Sequence, residues 1–157
     1  MAIVIVYDSI YGNTRQIAEA IAAGLEGKGE VRLMPVWNAR SIDLSDVECL
    51  IVGSPTRGFN ATPAISEFTA GLDAAKAARR LAAAFDTRLN LDDIHPEPLR
   101  WVVSAGGYAA ERIAKGLVHK GFAVKGTGEG FLVGGTEGPL KPGEIERARA
   151  WAATLIG

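Results

Sequence analysis

Cysteine is nearly missing from this chain. Cys49 is the only one in 157 residues, so no internal disulfide can form and no cysteine-built metal site is available. An excess of one charge is missing too. Seventeen Lys and Arg stand against 18 Asp and Glu, a formal net charge of −1, without the basic surplus that marks binding to nucleic acid. No apolar run approaches the length needed to span a bilayer, about 20 residues. The run at residues 2–6 is also too short for a secretory leader, and no Lys or Arg precedes it. The expectation is a cytoplasmic chain forming one domain over residues 1–157, with neither nucleic acid nor membrane as partner.

What is present is a regular alternation. Ala2-Ile3-Val4-Ile5-Val6-Tyr7 has no charged member and reads as a strand covered on both faces, the kind found in parallel sheets. A helix follows from about Thr14, with Ile17, Ile21 and Leu25 on one face. Val31–Val36 and Cys49–Val52 read as the second and third strands, the latter ended by Gly53 and Pro55. Pro63 opens a helix capped by Thr62. Residues 74–85 are Ala-rich and helical on propensity, yet a doubly wound sheet needs a strand there, so 80–85 is assigned as the fourth. The polar stretch from Asp86 to about Leu99 reads as a loop. A helix carrying Ala109, Ile113 and Leu117 closes at Gly121, two short strands at Phe122–Val124 and Phe131–Val133 follow, and a helix opened by Pro142 ends the chain. The fold class is α/β: a three-layer α-β-α sandwich around a five-stranded parallel sheet. In such a sheet, ligands bind outside the carboxyl ends of the strands. That singles out the loops 8–14, 54–61 and 86–101.

The first loop, Asp8-Ser9-Ile10-Tyr11-Gly12-Asn13-Thr14, joins a buried strand to a helix start. A helix N-terminus presents unpaired N–H groups and partial positive charge, which attract phosphate. Ser9, Asn13 and Thr14 add side-chain donors, and Gly12 lets the backbone curl closely around an oxygen. The same residues also suit a plain helix cap. Gly-x-Gly-x-x-Gly, the dinucleotide pattern, is absent, and so is the Gly-Lys-Ser/Thr of a P-loop.

These residues resemble the flavodoxin family. Ser9-Ile10-Tyr11-Gly12-Asn13-Thr14 matches that family's Ser/Thr-x-x-Gly-Asn-Thr phosphate loop, placed directly after the first strand. Gly53-Ser54-Pro55-Thr56-Arg57-Gly58-Phe59 is similar to its second flavin loop. Phe85-Asp86-Thr87-Arg88 and the stretch from Gly138-Pro139-Leu140 to Trp151 resemble short single-domain members. The resemblance implies strand order 2-1-3-4-5 and non-covalent FMN. It assigns the phosphate to Ser9, Ile10, Tyr11, Gly12, Asn13 and Thr14. The ring would lie among Pro55, Thr56, Arg57, Gly58 and Phe59, with Asp86, Thr87 and Arg88 toward its pyrimidine edge. Phe59, and after it Trp101, are the expected ring neighbours, with Tyr108 nearby. Arg57-Gly58 would supply the peptide that turns over when the flavin gains an electron.

The function so implied is that of a one-electron carrier working through the semiquinone and hydroquinone states of FMN, between redox partner proteins, as a monomer or weak dimer. Aspartates and glutamates around the ring would disfavour its anionic reduced form. The alternative is an FMN-dependent NAD(P)H or quinone reductase, because Ser54-Pro55-Thr56-Arg57 also resembles such enzymes; the extra substrate-pocket segments they carry are not found. A phospho-receiver is disfavoured, since Asp8 stands alone and Gly134-Gly135 follow the last strand. No catalytic residue can be argued from Cys49, His95 and His119. Asp92, Asp93 and His95 read as a solvated acidic loop, so no metal is expected.

Overall fold

The computed structural model describes residues 1–90 and 107–156. Strands β1 (Ala2–Tyr7), β2 (Glu30–Pro35), β3 (Val47–Pro55), β4 (Leu81–Leu89), β5 (Ala123–Val124) and β6 (Glu129–Val133) alternate with helices. The helices are α1 (Asn13–Gly24), α2 (Pro63–Ala70), α3 (Ala74–Ala77), α4 (Ala109–Lys120) and α5 (Glu144–Ala153). All strand pairs are parallel, in the order β2-β1-β3-β4-β5. The last position is shared: β5 pairs with the start of β4, at Leu81–Ala82, and β6 with its end, at Phe85–Leu89. The two short strands read from the sequence are thus one interrupted edge.

Each face of the sheet has its own core. Ile3, Ile5, Ile51 and Phe85 meet Ile17, Ile21 and Leu25 of α1 and its C-terminal turn, with Ala148 and Ala152 of α5. Val4, Val6, Val52, Ala82 and Ala84 meet Ile65 of α2 and Ile113, Ala114 and Leu117 of α4 on the other face. The three-layer reading of the sequence holds.

Residues 74–89 show where local preference yields. Asp73 caps Ala75 N–H at 3.0 Å, and the helix begun there lasts only four residues. From Leu81 the chain extends, because Ala82 and Ala84 face α4 in a fully buried sheet, and small side chains let helix and sheet approach closely. β4 then continues through Asp86, Thr87, Arg88 and Leu89, residues expected in a loop. Pairing with β6 carries the strand that far: Asp86 lies opposite Gly130 and Arg88 opposite Leu132.

Glycine permits two close approaches. Phe85 lies across Gly53, its partner on β3, where a Cβ would enter the ring. The ring then packs edge-on against Phe131 and Trp151, centroids 6.4 and 6.3 Å away. Gly24 of α1 likewise touches the backbone of Arg149 on α5.

Candidate functional site

At the carboxyl ends of β1, β3, β4 and β6 lies a cleft of about 320 Å³, within the size range of small-molecule sites. A hollow of about 400 Å³ between segment 36–44 and α2 is larger. It sets Arg40 and Lys76 beside Glu67 and Asp73, so it carries no charge of one sign.

The first wall of the cleft is the turn from β1 to α1. Gly12 sits at φ +93°, which reverses the chain immediately ahead of the helix. Ser9 Oγ organises that turn, accepting from Gly12 N–H at 3.2 Å and Arg15 N–H at 3.3 Å. No side chain caps α1, and the N–H groups of Asn13 and Thr14 have no acceptor among the described residues. Ile10 and Tyr11 stand 49% and 47% exposed on the rim. Asn13 donates its amide to Glu137 O at 3.1 Å, and its side chain lies where a Cβ on Gly138 would stand. Thr14 Oγ1 lies 2.8 Å from Thr87 Oγ1. Two hydroxyls hold two protons and the shared bond uses one, so the other remains available to a ligand.

The second wall is the turn after β3. Arg57 and Asn60 close it with N–H to O bonds of 2.8 and 3.0 Å. Gly58 and Phe59 between them both have positive φ, +52° and +71°, which defines a type I′ turn. Two side chains hold it: Asn60 donates to Gly58 O at 3.1 Å, and Arg112 of α4 to Phe59 O at 2.7 Å.

The third wall is the end of β4. Asp86 is fully buried and does not line the cleft. Its carboxylate accepts from Arg88 Nε at 2.7 Å, Arg88 Nη2 at 2.8 Å and Ala110 N–H at 2.9 Å, with the Thr56 hydroxyl also contributing. Burial pushes the Asp86 carboxyl above its ordinary value, while Arg88, Ala110 N–H and Thr56 oppose the rise. Arg88 does line the cleft. Its guanidinium lies 3.7 Å from the Tyr108 ring centroid and occupies the space a side chain at Gly130 would need.

The residues expected from the sequence therefore converge. Ser9, Ile10, Tyr11, Asn13, Thr14, Pro55, Thr56, Arg57, Gly58, Phe59, Thr87 and Arg88 all line one cleft, with Gly12 shaping the turn between them. Asp86 stands behind the wall and acts on the cleft through Arg88. Trp101 lies outside the described residues, as do Asp92, Asp93 and His95. Leu89, Val133 and Thr136 were missed as lining residues, although the rule that ligands sit at strand carboxyl ends pointed to the last two. Among the described residues the charged side chains that line the cleft are Arg57 and Arg88. Burial raises the Tyr108 phenol, and Cys49, buried elsewhere with its thiol pushed up to about 12, takes no part.

A family model described as a flavodoxin domain matches residues 4–95. The chain belongs to the flavodoxin family, whose members bind flavin and transfer electrons. An uncharacterized protein of Methanocaldococcus jannaschii is 36% identical over 87 residues, 52% of this chain and 22% of that protein; the chain spans about a fifth of its length. A flavodoxin from the domain Archaea superposes with a TM-score of 0.75 at 20% identity, over 99% of this chain and 96% of that one. The rubredoxin oxygen:oxidoreductase of Desulfovibrio gigas superposes with a TM-score of 0.70 at 20% identity, over 99% of this chain but 35% of that one. Among the described residues no helix is long and apolar enough to cross a membrane.

Proposed function

We propose that the cleft binds FMN without a covalent bond and that the protein carries single electrons between redox partner proteins. The observation that carries this reading is the start of α1. Gly12 turns the chain so that Asn13 and Thr14, whose N–H groups have no acceptor among the described residues, line the cleft together with the Thr14 hydroxyl. Such an array suits a phosphate dianion, with the helix dipole adding to it. The rest of the lining fits a flat, partly apolar ring system: Pro55, Phe59, Leu89, Tyr108 and Val133 supply apolar surface. When bound, FMN supplies the redox chemistry.

The chain's own residues then bind, orient and screen. Ser9 fixes the phosphate turn, while Thr87 steadies Thr14 from the opposite wall. Arg57 and Arg88 put positive charge at the cleft. The Gly58–Phe59 peptide presents backbone groups whose orientation the turn controls. No side chain is required to take up or release a proton in a bond-breaking step.

Anaerobic reduction of the FMN-loaded protein, followed by its visible spectrum, tests the carrier role. Two resolved one-electron steps are expected. A single two-electron step, together with rapid reduction by added NADPH, would overturn the carrier reading in favour of a reductase.

A further inference from the structure

Thr14 and Thr87 reach the cleft from different elements, the first turn of α1 and the end of β4. Both are buried, at 1% and 5% exposure, with their hydroxyl oxygens 2.8 Å apart. The backbone of Thr87 is fixed on both sides. It lies opposite Pro55 of β3 and Phe131 of β6, and its carbonyl accepts from Thr56 N–H at 3.0 Å. Thr87 therefore offers its hydroxyl to Thr14 from a rigid wall.

A hydroxyl carries one proton and accepts through two lone pairs. A phosphate dianion offers only acceptor oxygens. With such a group at the start of α1, Thr14 can bond to it only by turning its proton toward the phosphate. The bond between the two threonines then has one direction, with Thr87 as the donor. A hydroxyl that accepts in this way becomes a stronger donor, because bonds in a chain polarise one another.

We propose that Thr87 is a positioning residue for the phosphate: it donates to Thr14 Oγ1, holds the Thr14 proton toward the phosphate of FMN, and so helps the cleft to distinguish FMN from riboflavin. This rests on the reading of the cleft as an FMN site. It moves Thr87 from the pyrimidine edge of the ring, where the family resemblance puts it, to the phosphate end.

The test is titration of the apoprotein with FMN and with riboflavin, in the parent and in Thr87→Val, Thr87→Ser, Thr14→Val and the double valine variant. In Thr87→Val, which keeps the size of the side chain and removes the hydroxyl, the ratio of riboflavin to FMN dissociation constants should fall about fivefold. Thr87→Ser should keep the ratio of the parent. The double variant should fall no further than Thr14→Val alone, because Thr87 acts through Thr14. A purely structural role would weaken both flavins alike and leave the ratio unchanged. Thr87→Ala reads the same ratio if Thr87→Val does not fold. An unchanged ratio, or a fall that adds in full to that of Thr14→Val, overturns this inference while leaving the phosphate site standing. A parent protein that binds neither flavin, or binds both equally, overturns the FMN reading as well.

Discussion

Thr14 and Thr87, 73 residues apart, share a hydrogen bond of 2.8 Å between buried hydroxyls. It joins the first turn of α1 to the end of β4, and so holds two walls of the cleft in register. Removing either hydroxyl leaves the other buried with one partner fewer, a cost of about 1–3 kcal/mol. Thr14→Val and Thr87→Val should each lower the unfolding free energy by about that amount, and the double variant by less than the sum. Denaturant titration of the four proteins checks it; strict additivity would show that the hydroxyls are not coupled.

Gly53 and Phe85 set a second prediction. Since a Cβ on Gly53 would enter the Phe85 ring, Gly53→Ala must displace an aromatic side chain packed on Phe131 and Trp151. Overpacking of this kind costs about 1–3 kcal/mol. The pair Gly53→Ala with Phe85→Leu should recover part of the loss in thermal denaturation.

The turn at residues 57–60 holds a conformation its sequence does not favour. A glycine followed by a bulky residue suits type II′, in which only the first central residue has positive φ. Here Phe59 is also at +71°, held by Asn60 on the Gly58 carbonyl and Arg112 on the Phe59 carbonyl. Asn60→Ala should let the Gly58–Phe59 peptide turn over toward type II′, and Phe59→Gly should favour the observed form. Backbone NMR of residues 58–60 distinguishes the two. In the FMN-loaded protein, Asn60→Ala should also change the spacing of the two one-electron potentials more than it changes FMN affinity.

Acid should weaken the junction of α5 with β6. Glu144 is buried at the start of α5; burial would raise its carboxyl, but hydrogen bonds from Arg147 and Leu132 N–H, with the Arg147 charge, outweigh that and hold it below its ordinary value. A carboxylate depressed in the folded state adds stability above its unfolded pKa, about 4.3. That contribution fades as the pH falls through the lower, folded value. Glu144→Gln should therefore lose stability at neutral pH and show a flatter acid dependence than the parent, measured by thermal denaturation from neutral to acid pH. Parallel pH curves for the two proteins would contradict the assignment.

Much of this was legible in the sequence. Unbroken apolar runs marked β1 and the centre of β3, and helical stripes marked α1 and α4, because burial on one or both faces imposes those patterns. The turn into α1 was legible because glycine at positive φ beside short polar residues is a local requirement. The end of β4 was not, since Asp86-Thr87-Arg88 reads as a polar loop. Its strand geometry comes from pairing with β6, more than forty residues later. Once extended, period two puts Asp86 and Arg88 on one face, and their ion pair follows. Gly130, whose missing side chain makes room for Arg88, has no local signal at all. Gly130→Ala should push Arg88 off Tyr108 and weaken FMN binding, while the stability loss stays modest.

The central claim is that the N-terminus of α1 holds a phosphate. Parallel titration of the apoprotein with FMN and with riboflavin, which lacks only that phosphate, tests it most directly. Charge-assisted bonds contribute about 1.5–3 kcal/mol each, so FMN should bind at least about a hundredfold more tightly than riboflavin. Equal affinity for the two flavins would contradict the phosphate site and the reading built on it.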